Sequence, residues 1–238
     1  MPLPLYLALT APELSAAGAL PEHLAYMACH FSPYSAGLSN FPQALPTGSM
    51  LILNDSTPAF VHDPLLIGTQ LAEAAEHLQC SCVLLDLQRP VNDLTFRIAE
   101  AVISAVSCPV AVSEGYAAQL KCPVFLSACP PGVPLKEHFK NWPARDIWLE
   151  VALGTTVITV ERSGSRQAPA NPCDPAHLPH RSQHLHCHYK TEIQPEQVCF
   201  TLQRTENDVK ELLAEAETLG VLGAVGLYQE LGAAFHCN

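Results

Sequence analysis

Short apolar runs recur through the first half of the chain, at Leu5 to Thr10, Leu24 to Phe31, Ser49 to Asp55, Cys82 to Leu87, Cys108 to Ser113 and Cys122 to Ser127. They are continuous rather than alternating, the pattern of strands buried on both faces, and they predict a parallel sheet covered by helices. Between them the spacing turns helical. Asp63 to Gln79 places Leu66, Ile67, Leu71, Ala74, Ala75 and Leu78 on one stripe, with Asp63 as N-cap and Pro64 at the first helical position. Asp93 to Val106 repeats the pattern with Leu94, Ile98, Ala101, Val102 and Ala105. A further helix opens at Thr205-Glu-Asn-Asp, an approximate capping box, and closes at Gly220, and the strand Leu222 to Tyr228 follows it.

With one more strand between Ile147 and Arg204 there are eight, so the fold class is α/β and the expected architecture an irregular (β/α)8 barrel. An open doubly wound α/β sheet is the alternative. The chain reads as one domain over 1–238, with an antiparallel hairpin and loop insertion at about 147–204. There, Trp148 to Leu153, Gly154 and Thr156 to Val160 read as one hairpin, and Gln167 to Gln183 as a loop. His184 to Ile193 and Val198 to Leu202 read as a second hairpin.

Composition narrows the function classes. Twelve basic against twenty-three acidic residues leave a net charge of -11, which excludes a general phosphate-tracking surface for nucleic acid. Met1-Pro2-Leu3-Pro4-Leu5-Tyr6 lacks the basic start of a signal peptide, and no apolar run reaches the ~20 residues a membrane span needs. The chain therefore reads as soluble and cytoplasmic, without a membrane partner. Its ten cysteines, Cys237 the last of them, form no Cys-x-x-Cys pair and read as reduced small hydrophobes. No Walker loop, G-x-G-x-x-G loop or G-x-S-x-G elbow is present, and no cofactor is expected.

In a parallel barrel the strand ends carry the chemistry. Here they deliver Asp55, Asp86, Gln88, Arg89, Ser113, Glu114, Tyr116, Arg204, Tyr228, Gln229 and Glu230 to one rim. Carboxylates gathered there could work as acid and base if burial held one of them protonated. Trp142 and Trp148 could stack on sugar rings, although their apolar neighbours fit core packing better.

The segment Ser81-Cys-Val-Leu84-Leu-Asp86-Leu-Gln88 resembles the fourth-strand motif D-x-x-D-x-D-x-E of chitinase-like family 18 glycoside hydrolases. Asp86 falls on the last Asp and Gln88 on the Glu that is the family's acid, while Leu84 and Ser81 stand at the earlier acidic positions. The resemblance implies a distant, degenerate relative that binds or processes a carbohydrate-like or other small ligand at the rim. An amide can orient a hydroxyl, but it cannot protonate a leaving oxygen. Were the protein an enzyme, Glu114 or Glu230 would have to supply the acid, with Asp86 stabilising positive charge at the reacting carbon. Asp55, Gln88, Arg89, Tyr116, Arg204 and Tyr228 would bind the ligand.

Two alternatives stay open. His184-Leu-His186-Cys-His188, read as a strand, puts three imidazoles on one face, which suggests a metal-dependent hydrolase. Side chains from a single strand point in parallel rather than converging, so no metal is expected there. The other alternative is a noncatalytic binding or assembly protein built on the barrel.

Overall fold

The computed structural model describes residues 3–143 and 145–235; Met1, Pro2 and Cys237, which enter the readings above, lie outside the described residues. The chain divides into two compact units, one within residues 4–127, 145–150 and 222–235, the other comprising Leu3 and residues within 128–143 and 151–221.

The first unit is a closed barrel of eight parallel strands. In chain order they are Leu5–Leu9, Leu24–Phe31, Met50–Asn54, Cys82–Asp86, Val110–Ser113, Val124–Leu126, Ile147–Glu150 and Gly223–Leu227. The first strand pairs both with the second, Leu7 opposite Leu24, and with the eighth, Leu5 opposite Ala224. That double pairing closes the sheet and overturns the open doubly wound alternative. The barrel is irregular, because no helix follows the second strand and only the single turn Glu114–Ala117 follows the fifth.

The helices start where short polar side chains can accept the first backbone N–H groups. Asp63 caps Pro64–His77 by accepting from the Leu65 amide, and Asn92 caps Asp93–Ala105 through the Leu94 and Thr95 amides. Within their apolar stripes Ile67, Leu71, Ile98 and Val102 are completely buried, whereas Leu66 and Ala105 are exposed.

The barrel interior is packed, not hollow. Tyr6, Met50, Ile52, Cys82, Leu84, Phe125, Trp148 and Val225 form one cluster inside it. Trp148 packs on Tyr6 with ring centroids 5.7 Å apart, so it is a core residue and not a sugar platform. Gly223 lies beside that indole, where an added Cβ would stand 2.5 Å from its ring.

The second unit is a five-stranded antiparallel sheet ordered Gly164–Pro169, Thr155–Glu161, Gln197–Gln203, Cys187–Ile193, His180–Ser182, with the helix Glu206–Thr218. Thr205 and Asp208 close the expected capping box, and Gly220 takes φ +80 beyond the helix end. Three readings of this region need correction. Ile147–Glu150 is the seventh barrel strand and makes no hairpin across Gly154; Thr155–Glu161 pairs instead with Gly164–Pro169 and Gln197–Gln203. The stretch read as a loop holds the end of Gly164–Pro169, a 3-10 turn at Pro175–His177 and the strand His180–Ser182. Finally, the strand expected from His184 begins at Cys187, because His186 adopts φ +46 and breaks the two-residue alternation. No described helix is long and apolar enough to cross a membrane.

Candidate functional site

Alternation along the barrel strands decides which side chains close the interior at its C-terminal end. Met50 and Ile52 point inward, so Asn54 does too; Asp86 follows Cys82 and Leu84, Glu150 follows Trp148, and Leu227 follows Val225. Asn54, Asp86, Gln88 and Glu150 thus bring polar groups to a mouth otherwise walled by Met27, Phe125 and Leu227. Its cavity is about 70 Å³, room for a water or two.

Asp86 accepts a hydrogen bond from the Gln88 amide nitrogen. Burial in the mouth pushes the Asp86 carboxyl above the ordinary carboxylate range; the Gln88 bond opposes this, and the nearby Asp55 charge adds to it. No cation pairs with Asp86 among the described residues. A carboxyl whose folded pKa is raised binds its proton more tightly when folded, so stability falls as pH climbs from the ordinary value through the raised one. Asp86→Asn should therefore be more stable than the wild type at about pH 7 and lose that advantage near pH 3. Urea unfolding at the two pH values measures this, and an asparagine variant less stable at both would contradict the burial argument.

The other expected site residues divide sharply. Asp55 is buried and accepts from the backbone amides of Gln88 at 3.1 Å and Arg89 at 2.7 Å. Arg89 returns the contact, its Nε donating to the Asp55 carbonyl at 2.8 Å and its guanidinium to that of Ser56. These two residues lock the loop after the fourth strand and so hold Gln88 in place. Ser113 helps, accepting from the Leu87 amide and donating to the Leu85 carbonyl, both at 3.0 Å.

Glu114 accepts from the backbone and hydroxyl of Ser127 at 3.1 and 2.9 Å. It lines a shallower depression of about 400 Å³ with Arg89, Tyr116 and Ser127, and Gln88 and Phe125 line both spaces. The buried Tyr116 donates its hydroxyl to Thr95 at 2.8 Å. Tyr228 opens the helix Tyr228–Phe235 with its ring over Gly232, and Glu230 stands in that helix's first turn; neither lines the mouth cavity. Arg204 does not end a barrel strand at all. It follows the antiparallel strand Gln197–Gln203, is 2% exposed, and donates to the carbonyls of Cys129 and Pro130.

Sequence reasoning missed Asn54 and Glu150. The signal for Glu150 was available: Ile147-Trp-Leu-Glu150 ends an apolar run on an acid just as Leu84-Leu85-Asp86 does. His186 bonds Glu215 and His188 faces Asp208, and among the described residues no group of three His, Cys, Asp or Glu side chains is arranged to hold a metal.

Comparison with known proteins places the fold. No family model matches the chain, and no curated protein does. Solved structures do match: the Nicotiana tobaccum class V chitinase, 9% identical with 95% of this chain and 93% of that one covered, has a TM-score of 0.55. A glycoside hydrolase family 18 N-acetylglucosaminidase from Paenibacillus barengoltzii is 10% identical over 94% of both chains, with a TM-score of 0.54. The Bacillus cereus spore cortex-lytic enzyme SleL gives 0.55 at 9% identity, covering 94% of this chain and 70% of its own. The chain has the barrel fold of family 18 chitinases and related glycosylases, the fold implied by the motif around Asp86. At these identities the likeness is one of fold.

Proposed function

We propose that the barrel mouth and the adjoining depression bind a carbohydrate, and that the site does not hydrolyse it through the fourth-strand position. The observation that carries this reading is the pair Asp86–Gln88: a half-buried carboxyl without a paired cation among the described residues, bonded to an amide where the family's motif has its acid. Such a carboxyl costs stability and is kept for what it does to a ligand. The depression, at about 400 Å³, falls within the 300–1,000 Å³ range of small-molecule sites, whereas the mouth accepts only a substituent of the sugar. Gln88, on the border of the two, can hydrogen-bond the ligand without exchanging a proton with it.

The tobacco chitinase structure with NAG4 supplies a first probe. Calorimetric titration with NAG4 is expected to show binding that Asp86→Ala removes, with no product formed over hours. Asp86→Asn, which keeps the fold, should weaken binding while raising stability at neutral pH. If Asp86→Ala binds NAG4 as tightly as the wild type, the mouth is not the site.

A further inference from the structure

The antiparallel unit holds a charge cluster that owes nothing to the barrel mouth. Asp208, Glu211 and Glu215 stand three and four residues apart on the helix Glu206–Thr218, so their carboxylates share one face. Arg181, His186 and His188 meet them from the hairpin that begins at His180. Arg181 reaches Asp208 at 3.2 Å and Glu211 at 2.7 Å. His186, 8% exposed, puts Nε2 2.6 Å from Glu215 and Nδ1 3.5 Å from Glu211. His188 Nε2 lies 3.9 Å from the completely buried Asp208.

The charge count depends on pH. Three carboxylates face one permanent cation and two imidazoles. Among these six groups the charges balance with both imidazoles protonated; with both neutral the face has two positive charges fewer, and carboxylates at i, i+3 and i+4 spacings repel. Imidazole ordinarily titrates near pH ~6.5, inside the physiological range. Other charged groups stand nearby: Lys210 on the same helix, and Lys136, Glu137 and His138 on the short helix Leu135–His138 packed against it. Arg204 keeps its charge while its two terminal nitrogens donate to the carbonyls of Cys129 and Pro130 and its buried Nε has no hydrogen-bond partner among the described residues; Lys190 pairs with Glu192 on its own strand, and the nearby Cys129 and Cys187 are thiols pushed up by burial.

We propose that this face is a pH-operated latch between the 180–188 hairpin and the 206–218 helix, closed in mild acid and loosened above neutral pH. The acids are suited to it. The Arg181 hydrogen bond holds Glu211 below the usual carboxylate range, and Asp208, although burial acts against it, is held low by Thr205 and then Arg181. Both therefore stay charged through the neutral range. The left-handed backbone at His186, with φ +46, aims its ring at the helix, and histidine is among the side chains that tolerate this conformation.

Hydrogen exchange of the full chain, read on peptides covering 206–218 and corrected for intrinsic rates, tests the latch at about pH 5.5 and 8. Protection of the helix is expected to fall on the order of tenfold between them, a change of the size one pKa unit represents. His186→Asn with His188→Gln, which keeps a side chain tolerant of positive φ but cannot titrate, should remove that pH dependence. Glu215→Gln should move protection in opposite directions, up at pH 8 and down at pH 5.5. A wild type whose protection is indifferent to pH, a histidine double variant that keeps the full dependence, or a Glu215→Gln variant weakened at both pH values would overturn the latch.

Discussion

Replacing Trp148 by alanine will cost the barrel about 3–5 kcal/mol, the range for emptying a large aromatic site in a packed core. The indole is 7% exposed and rests on Tyr6 across the interior. Gly223, directly opposite it on the eighth strand, leaves the space the ring fills. That geometry gives the prediction a second arm. Gly223→Ala should destabilise the wild type, because its Cβ would meet the ring, but should be tolerated or mildly stabilising once Trp148 is alanine. The two changes are therefore strongly non-additive in urea unfolding. A Trp148→Ala loss below about 1 kcal/mol, far under the core range, with additive behaviour would remove the indole from the interior and reopen it as a sugar platform.

Much of the barrel was legible because its strands report their burial directly. Leu24–Phe31 and the starts of Leu5–Leu9 and Cys82–Asp86 follow from unbroken apolar runs, and the helices from caps that sit where orphan amides need acceptors. The antiparallel unit was less legible for a physical reason. Thr155–Glu161 pairs with Gln197–Gln203 far along the chain, and nothing local announces such a partner, whereas the glycine just before it imitates a turn. Reading that false hairpin consumed Ile147–Glu150, the seventh barrel strand, and with it Glu150. At His186 a single left-handed residue turned an apparent strand face into a turn.

The site shows the same division. Asp86 and Gln88 were visible because an apolar strand breaks into polar residues as it leaves the core. Asp55 and Arg89 carry the same polar signature, yet their side chains bind the backbone of the loops around them. Sequence registers that a residue is polar near a strand end. It does not register whether the nearest unsatisfied group is a ligand or a backbone amide on a neighbouring strand's loop.

Gln88→Glu should turn the proposed binding site towards hydrolysis. The introduced carboxyl would stand beside Asp86, itself already pushed up by burial, so the two would titrate as a coupled pair, one proton being retained well above the ordinary carboxylate range. A group protonated near neutral pH is what a general acid must be, and such an acid is worth about 10²–10⁴ in rate. Turnover of an aryl N-acetylglucosaminide should rise from background by a factor within that range, with a mildly acidic optimum. It should vanish again when Asp86→Ala is added, and it should be absent from Gln88→Ala. The wild type sets the decisive contrast: robust wild-type hydrolysis that survives Gln88→Ala but is abolished by Glu114→Ala or Glu150→Gln would mean that the acid has moved to another strand, and the barrel would be an enzyme with a relocated proton donor instead of a carbohydrate-binding relative.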